Sequence, residues 1–155
     1  MTNPLFSRRV VALRPPRIAQ LLLLVASAFH LGFPVEALQY HNYWLSGAML
    51  IFGTVVMMAG WQLFQRCMTP VCPTDTPRQL VTEGVYRFTR NPMYLGMTSI
   101  LLGVALAVGS VAFYLVPLLF FVVMQIYFCP YEEQKLASIF GSQFTEYRQQ
   151  VRRWI

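Results

Sequence analysis

Residues 93–128 read MYLGMTSILLGVALAVGSVAFYLVPLLFFVVMQIYF, two apolar runs separated only by Gly109-Ser110 and free of Lys and Arg. A helix apolar on every face has no side to turn toward water, so each run is predicted to be a helix in lipid. With two residues between them, the runs predict a tight helical hairpin. Two further apolar runs precede it, Ile18 to Phe33 and Tyr43 to Phe64. A helix needs about 20 residues to cross the hydrocarbon core, with a range of roughly 17 to 25. The second run meets this comfortably. The first meets it if it starts at Pro15-Pro16 and continues past Pro34 to Leu38, proline being tolerated near helix ends. The chain is therefore expected to be an all-α integral membrane bundle and a single domain, with four spans at about 16–36, 43–64, 93–109 and 111–129.

Composition agrees. Hydrophobic residues make up 56% and charged residues 12% of the chain, against about 25% charged in ordinary globular domains. The net charge of +6 could point to nucleic acid, but the basic residues do not form one stripe interleaved with aromatics, and nucleic acid is excluded as a partner. They fall instead into three clusters: Arg8, Arg9, Arg14 and Arg17; Arg66, Arg78, Arg87 and Arg90; Lys135, Arg148, Arg152 and Arg153. Four spans place all three clusters on one side, and the excess of Lys and Arg marks that side as cytoplasmic, with both termini there. An inner or cytoplasmic membrane is the expected location. The stretch Arg8-Arg9, the first apolar run and Ala26-Ser27-Ala28 also imitate a secretory signal with its cleavage site; the Pro15-Pro16 helix entry favours retention as a span.

Cys67, Cys72 and Cys129 match no disulfide framework or zinc spacing, and His30 and His41 are the only imidazoles, so no metal is expected. The loop at 65–92 carries Pro70, Pro73 and Pro77. It ends in Gly84-Val85-Tyr86-Arg87-Phe88-Thr89-Arg90-Asn91-Pro92-Met93-Tyr94-Leu95-Gly96, where charge, aromatics, Gly and Pro are mixed most densely. Pro92 is expected in the first turn of the third span, and Pro117 is expected to kink the fourth. If the segment is helical, Arg87 and Arg90 project from neighbouring faces, with Tyr94 one turn beyond. Taken alone, such arginines anchor a helix by snorkelling. Glu132 and Glu133 at the end of the fourth span change that reading, since carboxylates beside an apolar environment require positive partners. After Pro130 the pattern becomes amphipathic, with Leu136, Phe140, Tyr147 and Val151 near one face. Gly141 is read as a helix stop and Ser142 as the cap of a second short helix. Residues 82–96 and 130–155 form the expected cytosolic elements.

Gly84-x-Tyr86-Arg87-x-x-Arg90-Asn91-Pro92-x-Tyr94-x-Gly96, followed by Glu132-Glu133-x-x-Leu136-x-x-x-Phe140-Gly141-x-x-Phe144-x-x-Tyr147 and the closing Val151-Arg152-Arg153-Trp154-Ile155, resembles the isoprenylcysteine carboxyl methyltransferase and phospholipid methyltransferase superfamily. The resemblance covers residues 82–155. Asn91 stands where many members have His, and Phe144 where Tyr is common. What the resemblance implies is a membrane enzyme that binds S-adenosylmethionine in a cytosol-facing pocket and admits a lipidic or small hydrophobic acceptor from the bilayer. Carried onto this sequence, it implies a cofactor site of Tyr86, Arg87, Arg90, Asn91, Pro92, Tyr94, Gly96, Glu132 and Glu133. It likewise implies a catalytic group of Glu133, Arg90 and Arg148, and substrate contacts from Arg148, Arg152 and Tyr147.

The side-chain chemistry suits that cofactor. Arg87 or Arg90 can grip a carboxylate with two prongs; Glu132 or Glu133 can accept from an ammonium or from ribose hydroxyls; Asn91 can donate or accept. A carboxylate acceptor is already ionised, so Arg148, Arg152 or Arg153 need only place it, whereas an amine must lose a proton and a buried Glu can serve as base. Isoprenylcysteine carboxyl methylation is the nearest activity, with phospholipid amine and thiol methylation as alternatives. The rivals from other classes are a nicotinamide-dependent membrane reductase and a non-enzymatic membrane scaffold.

Overall fold

The computed structural model describes residues 14–33, 40–67 and 79–155. The expected extension of the first span from Pro34 to Leu38, and Arg8, Arg9, Pro70, Cys72, Pro73, Pro77 and Arg78, lie outside the described residues.

Every regular element among the described residues is helical. Helix α1, Pro15–Gly32, opens on the proline pair, whose missing N–H groups would have no partner in a first turn in any case. Helix α2, Tyr43–Arg66, is capped by Asn42, whose side chain accepts from the Leu45 N–H at 3.0 Å. A 3₁₀ turn, Gly84–Arg87, precedes α3, Pro92–Val108, which again starts on proline. Gly109 ends α3 in the left-handed conformation at φ 74°, where a side chain would be strained. Helix α4, Val111–Val123, follows directly and completes the expected hairpin. At that turn His41 Nδ1 lies 3.0 Å from the Ala107 carbonyl, one of the last carbonyls of α3.

Helix α4 runs on through the buried Pro117, which has no N–H to donate, and passes further along into a π turn at Met124–Phe128. The helix does not stop near 129. It continues as α5, Cys129–Phe140, giving an unbroken helix of 30 residues from Val111 to Phe140. The π turn takes in an extra residue and re-phases the face that α5 presents. Gly141, at φ 52°, both closes α5 and precedes α6, Ser142–Gln150. The expected Ser142 cap is corrected: Ser142 is the first helical residue, and no side-chain cap bond forms there.

The α3–α4 hairpin is central, with α2 along α3 and α1 along α4. The approach of α2 to α3 is close enough that a Cβ on Gly96 would sit 2.6 Å from the Gly53 carbonyl. Nearby, Ser46 Oγ donates to the Gly103 carbonyl at 2.8 Å. Small residues permit such backbone contact where lipid offers no hydrophobic drive between helices. Ala19 and Ala26 of α1 meet Phe113, Val116 and Phe120 of α4 in the core. Large apolar side chains stay outside: Trp44, Ile51, Val55 and Trp61 on α2, and Leu21, Leu24 and Val25 on α1 are exposed, as contact with lipid requires. Of the four expected spans, α2 and the Val111–Phe140 helix are long and apolar enough, by length and composition, to cross a membrane.

Candidate functional site

The two polar patches of the sequence, residues 84–96 and 130–133, meet at one end of the bundle. The segment before α3 carries Tyr86, Arg90 and Asn91, the first turn of α3 adds Pro92 and Tyr94, and α5 supplies Glu132 and Glu133 from across a cavity of about 390 Å³. That volume lies within the roughly 300–1,000 Å³ of small-molecule pockets. Phe64 from the end of α2, Met97, Leu136 and Phe144 make much of the wall apolar, and Arg14 with Pro15 and Pro16 brings the start of α1 to the rim.

Three charged groups dominate. Arg153 Nε and Nη2 donate to the two oxygens of Glu133 at 2.8 and 2.7 Å, a two-pronged pair. On the other side, Arg90 Nη1 lies 3.1 Å from Glu133 Oε1, an ion-pair distance without hydrogen-bond alignment. Arg90 Nε and Nη1 are buried and lack a hydrogen-bond partner. Burial lowers the Arg90 pKa, with the Glu133 charge opposing that shift. The hydrogen bond to Glu133 raises that of Arg153. Glu132 accepts from the Tyr94 hydroxyl. Tyr147, buried on α6, donates to the Tyr86 carbonyl at 2.7 Å, and burial pushes its phenol up to about 12. Burial, then the charge of Glu132, raises Tyr86 as well. Both phenols therefore remain protonated donors at neutral pH.

The C-terminal residues close this end. The Arg90 N–H donates to the Arg152 carbonyl at 3.1 Å, while Thr89 Oγ1 and the Asn91 amide both donate to the Arg153 carbonyl, at 3.1 and 3.0 Å. Trp154 anchors the strap, with its indole N–H on Gln125 at 2.7 Å and its ring 4.7 Å from that of Phe121.

Of the residues singled out from sequence, Tyr86, Arg90, Asn91, Pro92, Tyr94, Glu132, Glu133 and Tyr147 line the one cavity. Arg87 does not join them. It sits in the 3₁₀ turn rather than on a helix shared with Arg90, is exposed, and borders a separate, more open hollow with Glu83, Gln143 and Glu146. Gly96 faces Gly53 of α2. Arg148 and Arg152 are exposed and absent from the cavity wall, Arg152 contributing its carbonyl to the strap. The Asn91 amide, read as a ligand contact, donates to the Arg153 carbonyl. Sequence reasoning did not single out the Arg153–Glu133 pair or the rim residue Arg14. A buried carboxylate needing a cation was the available signal for the first; nothing marked the second.

Comparison with known proteins gives a consistent picture. The family model described as phospholipid methyltransferase matches residues 41–143. The chain is 28% identical over 149 residues to protein-S-isoprenylcysteine O-methyltransferase B of Arabidopsis thaliana, covering 83% of this chain and 74% of that protein. It is 31% identical over 157 residues to a probable protein-S-isoprenylcysteine O-methyltransferase of Oryza sativa subsp. indica, covering 93% and 80%. No solved structure matches significantly.

Proposed function

This chain belongs to the phospholipid methyltransferase family, and we propose that it transfers a methyl group from S-adenosylmethionine to a lipidic carboxylate at the cytoplasmic face of a membrane. The observation that carries the reading is Arg90, which lines a largely apolar cavity together with two carboxylates and has buried N–H groups that lack a hydrogen-bond partner. Buried donors in native proteins nearly always find partners, so a ligand bearing an anionic group fits there. S-Adenosylmethionine has such a carboxylate, an ammonium that Glu132 would accept, and an adenine for the wall of Phe64, Met97 and Phe144. When bound it supplies an activated methyl on sulfonium.

The protein's own part is alignment and dryness. In-line displacement gains most from holding the reacting groups in register and excluding water. The segment 151–154 braces the backbone of Thr89, Arg90 and Asn91 beside the cavity, and Arg14 at the rim can place the carboxylate of an incoming acceptor. The start of α1, the end of α2, the start of α3 and α5 all border the same cavity, which supports four spans whose basic ends share the cytoplasmic side. Under this reading α1 and α3 also cross.

A second reading follows from the family description: an amine acceptor, with Glu132 Oε1, beside the Tyr94 hydroxyl, taking the proton. Purified protein in lipid nanodiscs, given methyl-labelled S-adenosylmethionine with either a farnesylated cysteine, phosphatidylethanolamine or an alkyl thiol, separates these. Label is expected on the prenylcysteine as a base-labile ester. Label on the amine alone would replace the carboxylate reading, label on the thiol alone would move it to S-methylation, and label on none would overturn it.

A further inference from the structure

The residue that shapes this site without lining it is Arg153. Its guanidinium takes both oxygens of Glu133, and a fork-to-fork contact of that kind fixes the carboxylate's plane. Arg90 is left with an off-axis approach to Oε1 at 3.1 Å, and its Nε and Nη1 keep no hydrogen-bond partner although the side chain is 10% exposed. A buried carboxylate with only one arginine beside it would turn to grip that arginine with two prongs. We propose that Arg153 is a positioning residue: by holding Glu133 it limits Arg90 to an off-axis ion pair and keeps the guanidinium, which borders the cavity, available to an anionic group of the ligand.

The same end of the chain steadies Arg90 from behind. The carbonyls of Arg152 and Arg153 accept from the Arg90 N–H, Thr89 Oγ1 and the Asn91 amide, which sets the backbone from which Arg90 projects. Trp154 ties this segment to Gln125 in the π turn, just ahead of the helix that carries Glu133. One short segment thus fixes the arginine's backbone and its competitor carboxylate together. It lies beyond residues 41–143, which the family model matches.

The inference rests on the methyl-donor reading for the identity of the anion but not for the arrangement of the three charges. Two measurements keep these apart. The first is calorimetric titration with S-adenosylhomocysteine, the demethylated donor, of the intact protein and of Arg153→Ala, Arg153→Lys, Glu133→Gln and the double variant Glu133→Gln/Arg153→Ala. Arg153→Ala should weaken binding by on the order of tenfold or more, as expected when a charged hydrogen-bond partner is lost. Arg153→Lys should recover part of it. In the Glu133→Gln background, where the carboxylate paired with Arg90 is gone, Arg153→Ala should add little. A cost equal in both backgrounds would mean that Arg153 only braces the fold, and would overturn the proposal. The second is the Arg90 Nε–H resonance without any ligand. It should shift in Arg153→Ala and return toward its original position in the double variant. No shift in Arg153→Ala overturns the proposal whatever the ligand. If the resonance behaves as stated but the nucleoside does not bind the parent protein, the positioning role stands and the donor reading falls.

Discussion

Arg90→Ala is expected to lower the affinity for S-adenosylmethionine by on the order of 100-fold, the loss of about two charge-assisted hydrogen bonds in a buried setting. Folding should not suffer. Glu133 keeps its two-pronged hold on Arg153, and the substitution removes two buried donors without a hydrogen-bond partner at the loss of only the off-axis ion pair to Glu133. Unchanged or raised thermal stability with lost binding is the pattern of a group retained for its ligand rather than for the fold. Arg90→Lys should recover only part of the affinity, because a single ammonium cannot reproduce the planar fork. Titration calorimetry beside a melting curve reads both quantities. Binding within threefold of the parent would remove Arg90 from the site.

Glu133→Ala has its large effect on the fold instead. It leaves the guanidiniums of Arg90 and Arg153 together in a pocket with their shared counter-ion gone. Breaking a buried pair by removing one partner costs about 3–5 kcal/mol. Arg153, at 24% side-chain exposure, retains some solvent, which places the expectation near about 3 kcal/mol. For a chain of this size that corresponds to a fall on the order of 10 °C in melting temperature. Glu133→Gln should lose less, since its amide oxygen still accepts one hydrogen bond. Equal melting temperatures for Glu133→Ala and the parent protein would show that the three charges do not form a unit.

The features legible in the sequence are those fixed by local chemistry. Gly109-Ser110 between two apolar runs could only be a hairpin turn, and the left-handed Gly109 supplies it. Prolines at 15, 16 and 92 mark helix starts, as the structure has them. That the segment around Arg90 and the pair Glu132-Glu133 would share a site followed from charge seeking counter-charge in an apolar setting. What could not be read depends on register between distant segments. Arg87 and Arg90 look equivalent in a list of motif residues, yet a 3₁₀ turn leaves the first exposed and the second under the C-terminal strap. Gly96 looks like part of a ligand loop and is a contact between helices. Among three tail arginines, only the backbone path of residues 151–154 determines that Arg153 meets Glu133. The π turn at Met124–Phe128 has no composition signal in an already apolar run, yet it re-phases the helix that carries both carboxylates.

Ultraviolet crosslinking of methyl-labelled S-adenosylmethionine to the protein in nanodiscs, followed by peptide mapping, tests the shared pocket most directly. The account predicts label within residues 86–97 and 132–147, suppressed by excess S-adenosylhomocysteine and absent from Arg90→Ala. Label confined to the outer face of α2 or to the hollow beside Arg87, or label that excess nucleoside does not suppress, would contradict it.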